Sequence, residues 1–247
     1  MNSVVLAEVK GAAPERDGTP LDLCIGNGMT VLLGNDRQRV NRYLKMVAGV
    51  VPALRGDVLL FGASPTHEDH GGRELRRRVG YVTPSAPLLS VLDGVRNVML
   101  PALYHHLAPE SEVMPKVQAL LDEMGGEGDH HALPAFMPEL QRRMLLVARA
   151  LILEPRLLFV EQLLSGLDSD ARERLCAYLR YALANWSESL VVAGNEPELA
   201  SIAAQVVFIG EQRHWVFAGW QSLLTCDDPA VQEFIEQERR FCSFFQG

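Results

Sequence analysis

The chain has 247 residues, of which 48% are hydrophobic, and a formal net charge of −8. This length suffices for one sizeable α/β core, or for one lobe with a smaller satellite. The acidic balance argues against a nucleic-acid-binding surface. Without a run of about 18 apolar residues, we expect no membrane-spanning helix. The four cysteines, far apart and outside any C-x-x-C motif, are typical of reduced thiols in a cytosolic protein: Cys24, Cys176, Cys226 and Cys242.

The first predicted elements have the frame of a phosphate-binding loop. A buried strand over 31–34 leads through the loop into a helix over about 41–48. A working loop reads G-x-x-x-x-G-K-[S/T], where the amides surround the phosphates, the lysine binds the β/γ oxygens and the hydroxyl binds magnesium. The nearest lysine, Lys45, is about 7.5 Å further along the helix and cannot replace the missing one. In this frame the chain keeps the first glycine and changes the other three positions: Gly34, Arg39, Val40 and Asn41.

The following elements indicate an α/β fold. The segment 52–62 predicts a turn and a strand. A helical pattern then extends over about 85–144, with breaks predicted at Pro101, Pro109 and Pro134. Continuous apolar runs at 157–160 and 190–193 are typical of interior strands of a parallel sheet, which are covered on both faces.

Five segments resemble, in order and spacing, those of the ATP-binding subunits of ABC transporters. They are the loop after residue 31, the stretch VGYVTP at 79–84, MPELQRRMLLVARAL at 137–151, RLLFVEQLLSGLD at 156–168 and VVAGNE at 191–196. The resemblance implies an α/β fold with a RecA-like P-loop NTPase core, the ABC ATPase fold. It also implies a domain over 1–222, with the core at about 1–84 and 146–222 and a helical subdomain at about 85–145. A C-terminal helical extension is expected over 223–247.

The resemblance also assigns roles to positions where this chain has changed residues. The family uses an aspartate that orders magnesium and then a glutamate that polarises water, whereas this chain has Glu161 and Gln162. A neutral amide has no basicity for general-base work. Asn195 replaces the switch histidine, and Pro84 replaces the Q-loop glutamine. Because no aromatic residue precedes Tyr43, the ring on which adenine would stack is missing too, and we expect no catalytic residues.

The half of the site that would serve a partner subunit is changed as well. The positions of the LSGGQ signature carry Pro138, Glu139, Leu140 and Gln141 after Met137. The proline lacks the hydroxyl and the N–H that meet the γ-phosphate, and the glutamate brings a carboxylate close to it, which costs on the order of 4 kcal/mol at an effective dielectric of 20. The D-loop segment is retained, although it can equally be only a tight turn: Ser165, Gly166, Leu167 and Asp168.

The C-terminal stretch 214–235 is similar to the end of ATPases that serve MCE-type phospholipid transporters, as is the stretch 92–101. Asp228 and Pro229 suit the start of a helix, on which Val231, Phe234 and Ile235 share one face. We predict a partner interface formed by five apolar residues, with the alternative that the terminal phenylalanines fold back onto their own core: Phe234, Ile235, Phe241, Phe244 and Phe245.

The sequence therefore predicts a degenerate, non-hydrolysing ABC-type subunit of a lipid transport system. Its partners would be a permease and a second ABC-type subunit, on the cytoplasmic side of the membrane and without direct insertion. Two alternatives stay open. One is a slow residual ATPase in which Arg37, Arg39 or Arg42 binds the phosphates of the nucleotide, and the other is a soluble regulator without a permease. No cofactor is expected, with ATP and magnesium present only if the degenerate site is still occupied. No metal site is expected, because the histidines lack zinc-site spacing.

Overall fold

The computed structural model describes residues 4–66, 70–125 and 128–244. Its strands are β1 Ala7–Ala13, β2 Leu21–Ile25, β3 Gly28–Leu33, β4 Arg55–Leu60, β5 Val79–Val82, β6 Leu157–Glu161, β7 Ser189–Ala193, β8 Gln205–Ile209 and β9 His214–Phe217. Its helices are α1 Arg37–Val47, α2 His70–Arg77, α3 Gly94–Tyr104, α4 Glu110–Asp122, a 3₁₀ turn Pro134–Phe136, α5 Glu139–Leu151, α6 Ser169–Asn185, α7 Pro197–Ala200, α8 Trp220–Leu224 and α9 Pro229–Phe244.

The chain divides into two compact units. Unit 1 contains the described residues of 1–75 and 189–247, and unit 2 those of 76–188. In unit 1, β1 pairs antiparallel with both β2 and β4. In a second group of strands, β3 runs parallel to β7 and β8, and β9 pairs antiparallel with β8. The apolar residues of β3 and β7 are buried on both faces, as interior parallel strands require.

Unit 2 combines the parallel pair β5 and β6 with the helices α3 to α6. Helix α5 packs against α3, α4 and α6, and also against β5. Its Arg149 donates hydrogen bonds to the backbone carbonyls of Ala86 and Pro87, at 2.7 and 3.1 Å. The segment that follows Pro84 is thereby fixed to α5.

The structure confirms the predicted strands to within a few residues, since β3, β6 and β7 lie on the apolar runs. The first helix begins at Arg37 rather than near 41, because Asp36 caps it. The predicted break at Pro101 is wrong, because α3 continues through this residue to Tyr104. Pro109 does precede α4, and Pro134 opens the 3₁₀ turn. The predicted domain boundaries stay a prediction.

The last helix, α9, is part of the core of unit 1. Asp228 precedes it and its Oδ1 accepts a hydrogen bond from the Ala230 amide at 3.0 Å, as expected for a helix start. Phe234 and Ile235, predicted to contact a partner, are instead buried in the chain itself, with 2% and 4% exposed. The Phe234 ring lies 5.5 Å from that of Phe208 in an edge-on contact.

The remaining predicted interface residues cannot be placed. The side chains of Phe241 and Phe244 lie outside the described part of the structure, as does the whole of Phe245. Among the helices in the described ranges, none combines the length and the apolar character that crossing a bilayer demands.

Candidate nucleotide site

The loop after β3 begins with a tightly enclosed glycine. A Cβ atom at Gly34 would lie 2.6 Å from the Ile209 carbonyl oxygen and 3.2 Å from Cγ2 of Val40. Only glycine fits this close approach without a shift of the backbone. Val40 itself is 2% exposed and belongs to the apolar face that α1 buries. The position where the resemblance implies a phosphate-binding lysine is therefore part of the hydrophobic core.

The amides at the start of α1 are bound by a side chain of the same loop. Oδ1 of Asp36 accepts hydrogen bonds from the amides of Gln38 and Arg39, at 2.9 and 3.0 Å. The bond from the Arg39 amide is the largest cause of the lowered pKa of Asp36, so the carboxylate stays charged. One guanidinium nitrogen of Arg39 lies 3.9 Å from the Asp36 carboxylate and 3.9 Å from that of Glu211.

The residue at the switch position also binds the loop. Oδ1 of Asn195 accepts a hydrogen bond from the Gly34 amide at 3.3 Å, and its Nδ2 donates one to the Gly34 carbonyl at 3.2 Å. Asn41, at the position of the magnesium-binding hydroxyl, has a buried Oδ1 that finds no hydrogen-bond partner among the described residues. The side chain at the switch position thus holds the backbone of the loop.

The first aromatic residue of the chain is used internally. Tyr43 is 3% exposed, its hydroxyl donates to the Thr19 carbonyl, and its ring meets that of His214 edge-on, with the centroids 4.6 Å apart. Nε2 of His214 lies 3.0 Å from the same carbonyl, and burial lowers the pKa of this histidine. The Thr19 hydroxyl donates to the Glu211 carbonyl at 2.7 Å. These bonds fix the β1–β2 loop to α1 and to the β8–β9 turn, so Tyr43 presents no free face to a base.

Unit 2 contains Glu161 and Gln162, the positions to which the resemblance assigns the magnesium and water contacts of ATP hydrolysis. They border an open cavity of about 310 Å³, lined by Thr83, Pro84, Ser85, Arg143, Glu161, Gln162 and Ser165. Glu161 is buried and accepts a 2.9 Å hydrogen bond from the Tyr81 hydroxyl, whose pKa is raised by burial and by this carboxylate. Gln162 has a φ of 44°, a left-handed conformation that is uncommon for residues other than glycine.

The signature-like residues divide between the surface and the interior. Pro138 and Glu139 are exposed at the start of α5, whereas Leu140 and Gln141 are buried, the latter with its Nε2 atom 3.2 Å from Nδ1 of His130. Burial tends to raise the pKa of Glu139, but hydrogen bonds from Arg142 and Arg143 outweigh it, so the pKa is lowered. The carboxylate predicted to repel a phosphate is therefore paired with two arginines of its own helix.

The D-loop residues form a turn that leads into α6. Gly166 has a φ of 78°, and Asp168 caps the helix by accepting a hydrogen bond from the Ala171 amide at 2.9 Å. Arg143 donates to the carbonyls of Leu163 and Ser165, at 2.5 and 2.7 Å, and so holds this turn. These bonds supply a local reason for the retained residues, in line with the tight-turn alternative.

The sequence pattern does not indicate five side chains that hold the backbone or the buried carboxylate around these positions: Asp36, Thr19, Tyr81, Arg143 and His214. Only the first carried a usable signal, because an aspartate directly before a helical pattern is typical of an N-cap. Among the described residues, no group of three or more metal-binding side chains comes together. In the loop half of the site, the buried Val40 occupies the position of the phosphate-binding cation, and the Asp36 carboxylate already binds the amides of Gln38 and Arg39.

Comparisons with known proteins point to transport ATPases. No family model matches the chain. It is 32% identical to a sulfate/thiosulfate import ATP-binding protein CysA 1 of Chromobacterium violaceum, over 74% of this chain and 51% of that protein. It is 28% identical to the methionine import ATP-binding protein MetN 2 of Burkholderia mallei, over 85% of this chain and 53% of that protein. A probable ribonucleotide transport ATP-binding protein mkl of Mycobacterium leprae is 25% identical, over 89% of this chain and 63% of that protein.

The chain spans about half the length of these curated relatives. Among solved structures it is similar to cbiO1 of Clostridium perfringens, with a TM-score of 0.78 and 16% identity over 98% of this chain and 99% of that one. It is also similar to the ATP-binding cassette MJ0796, with a TM-score of 0.72 and 16% identity over 87% of this chain and 100% of that one. The chain therefore has the α/β fold of ABC ATPase domains and is, by sequence, a relative of the ATP-binding subunits of transport systems.

Proposed function

We propose that the chain is a non-hydrolysing ABC-type subunit, which acts as a structural or regulatory partner of a membrane permease or of another ATPase subunit. The observation that carries this proposal is the burial of Val40, which is 2% exposed and packs beside Gly34. A cation at this position is what neutralises the phosphates in a working loop. A valine whose side chain lies in the core has no chemical means of doing so.

The cavity in unit 2 supports the same proposal. A general base must be able to accept a proton near neutral pH, and the amide of Gln162 cannot. The neighbouring Glu161 is buried and engaged by the Tyr81 hydroxyl. A phenol with a raised pKa stays protonated, so it continues to donate to this carboxylate at neutral pH.

We propose a permease and a second ABC-type subunit as partners, with the chain on the cytoplasmic side of the membrane. The relatives are named as ATP-binding proteins for the import of sulfate and methionine. One structural neighbour is described as part of an ABC transporter complex and another as a dimer. The chain would fill the place of an ATPase and stabilise one conformation of the permease without a power stroke.

For the transported substrate we propose a phospholipid. This rests on the resemblance of the stretches 92–101 and 214–235 to ATPases of MCE-type transporters. In the structure the second stretch forms β9, α8 and the start of α9, whose Val231 and Phe234 are buried in unit 1. A membrane fractionation of cells that produce the tagged chain tests the setting: the chain should sediment with the membranes and be released by detergent. Recovery only in a membrane-free complex would favour the alternative of a soluble regulator.

The absence of nucleotide chemistry is tested by thermal unfolding of the purified chain with and without 1 mM Mg-ATP. A site with a Kd of about 10 µM would add roughly 2.7 kcal/mol of stability, which is about 5–10 °C at this size. We expect a change within the error of the measurement, while a MetN-type relative with an intact loop should shift in the same assay. A shift of that order in this chain would overturn the proposal.

The alternative of a slow residual ATPase needs a cation for the phosphates. Arg37 is exposed at the start of α1, but Arg39 and Arg42 already pair with carboxylates, the latter with Glu15 at 2.9 Å. Single-turnover hydrolysis that disappears in a Glu161→Gln variant would establish this alternative. We expect no hydrolysis above the background of the buffer in either protein.

A further inference from the structure

The carboxylate of Asp36 does more than an ordinary helix cap in this chain. Asp93 and Asp168 precede α3 and α6, and each accepts a hydrogen bond from one backbone amide, at 2.7 and 2.9 Å. Asp36 accepts from two successive amides, at 2.9 and 3.0 Å. An arginine of the first turn lies 3.9 Å from the carboxylate of both Asp36 and Asp93, so the second amide is what distinguishes Asp36. Two amides, a nearby guanidinium and a helix start are together the surroundings that proteins offer to an oxyanion.

We infer that Asp36 is a built-in replacement for a bound phosphate, which keeps the loop between Gly34 and α1 in one ordered form without any nucleotide. This inference rests on the proposed function, because it explains how a subunit without nucleotide retains the shape of the loop. The fold implies a nucleotide in this loop, but the carboxylate of Asp36 occupies the backbone amides that would bind its phosphates.

Charge and hydrogen bonding both support this assignment. The first amides of a helix have no partner within the helix, and they bear the positive end of its dipole. In a nucleotide-binding loop the phosphates satisfy these amides, whereas here the Asp36 carboxylate does so. A phosphate would have to displace this carboxylate and then lie beside its negative charge. On the other side of the loop, the amide of Asn195 binds both polar backbone groups of Gly34.

The consequence for regulation is that the loop does not respond to nucleotide. The first amides of α1 already have an acceptor in Asp36, so a phosphate would add no bond that the loop lacks. We therefore expect its association with a partner to be the same with and without ATP. The device is local, since it involves only the side chain of Asp36 and the backbone of the first turn of α1.

The test is a chemical rescue by inorganic phosphate. Asp36→Ala removes the carboxylate, and hydrogen exchange at the amides of Gln38 and Arg39 should accelerate at least tenfold, with a Tm lower by about 2–4 °C. Adding 50 mM phosphate should restore most of the protection, while chloride at the same ionic strength should not. In the unmodified chain the two amides should be equally protected in both salts.

Two control variants separate this device from ordinary capping. Asp36→Asn keeps an oxygen on both amides, so it should remain protected and should not respond to phosphate. Asp168→Ala loses a single-amide cap, and phosphate should not restore it. The inference is overturned if Asp36→Ala leaves exchange unchanged, or if phosphate restores nothing.

The two proposals can fail separately. A nucleotide response of the unmodified chain would contradict the proposed function. A chain that ignores nucleotide, together with an Asp36→Ala variant that ignores phosphate, would contradict only the inference about Asp36. In that case the aspartate would be a helix cap and nothing more.

Discussion

Asn195 and Gly34 are joined by a reciprocal pair of hydrogen bonds, in which one side-chain amide both accepts from the Gly34 N–H and donates to its carbonyl, at 3.3 and 3.2 Å. In the ATPases that the chain resembles, the residue at this switch position contacts the γ-phosphate. Here the side chain at the same position forms hydrogen bonds that connect the segment after β7 with the segment after β3. The side chain at this position therefore holds the backbone of the loop in this chain.

The two hydrogen bonds between Asn195 and Gly34 should contribute to the stability of the folded chain. Asn195→Ala should lower the free energy of unfolding by about 1–2 kcal/mol, because two hydrogen bonds are lost and the Gly34 groups lose their partner. Urea unfolding measures this. Asn195→Asp is the matched control: it keeps the acceptor, loses the donor and sets a carboxylate against a carbonyl, so it should be no more stable than the alanine variant. An alanine variant as stable as the parent would contradict the role we assign.

Introducing the family's lysine should not restore a nucleotide site. Val40→Lys places an amine in a core position that is 2% exposed, and we expect a loss of about 2–4 kcal/mol of stability. Val40→Met, which introduces a similar length without charge, should lose less. Both proteins should show no Tm increase with 1 mM Mg-ATP. A nucleotide-dependent rise in Tm for the lysine variant would show that the loop needs only a cation.

The bond from Tyr81 to Glu161 should be worth more than an ordinary tyrosine hydrogen bond. Tyr81→Phe removes a donor to a buried carboxylate and should destabilise the chain by about 1.5–3 kcal/mol, as hydrogen bonds to charged groups do. The matched control is Tyr178→Phe, which removes a 3.1 Å bond to the neutral carbonyl of Leu120 and should cost about 1 kcal/mol. Equal losses in urea unfolding would mean that the charge of Glu161 is not important.

The stability of unit 1 should depend on pH through His214. Burial lowers the pKa of this histidine below its ordinary value of 6.5, and the positive charge of Arg39 acts in the same direction. The neutral ring is favoured in the folded chain. Its contribution to the free energy of unfolding is therefore fully present above pH 6.5 and is lost as the pH falls below that value. Nε2 of His214 lies 3.0 Å from the Thr19 carbonyl, and hydrogen bonding to the backbone of Thr19 and Arg213 opposes the shift of this pKa without cancelling it.

The measurement for this prediction is urea unfolding between pH 5.0 and 7.5. The parent chain should lose stability on the acid side, and a His214→Gln variant, which keeps a donor but does not titrate, should lose less. The difference between the two curves isolates the histidine from the carboxylates, which titrate at lower pH. Parallel curves would contradict the assignment.

Much of the fold could be predicted because its signals are local. Strands such as β6 and β7 are continuous apolar runs, and the order of five motifs identified the architecture around them. The frame of the phosphate loop predicts the start of α1 four residues late, because the cap at Asp36 lies inside that frame. Pro101 predicts a helix break, although the described helix continues through it.

The site was harder to predict because its key contacts join residues far apart in the chain. Asn195 binds Gly34, and His214 binds Thr19, across more than 150 positions. No spacing rule in a single sequence announces such pairs. Phe234 and Ile235 show a further difficulty: their shared helix face indicated an apolar contact, but not whether the contact is with a partner or with the chain's own Phe208.

The placement of β3 has a consequence for how the chain is made. Both of its neighbours, β7 and β8, are synthesised more than 150 residues later. At about 5–20 residues per second, β3 leaves the ribosome roughly 10–30 s before its two neighbouring strands. Apolar segments that stay exposed during synthesis promote aggregation, so we expect the yield of folded protein in cells to be sensitive to the rate of translation.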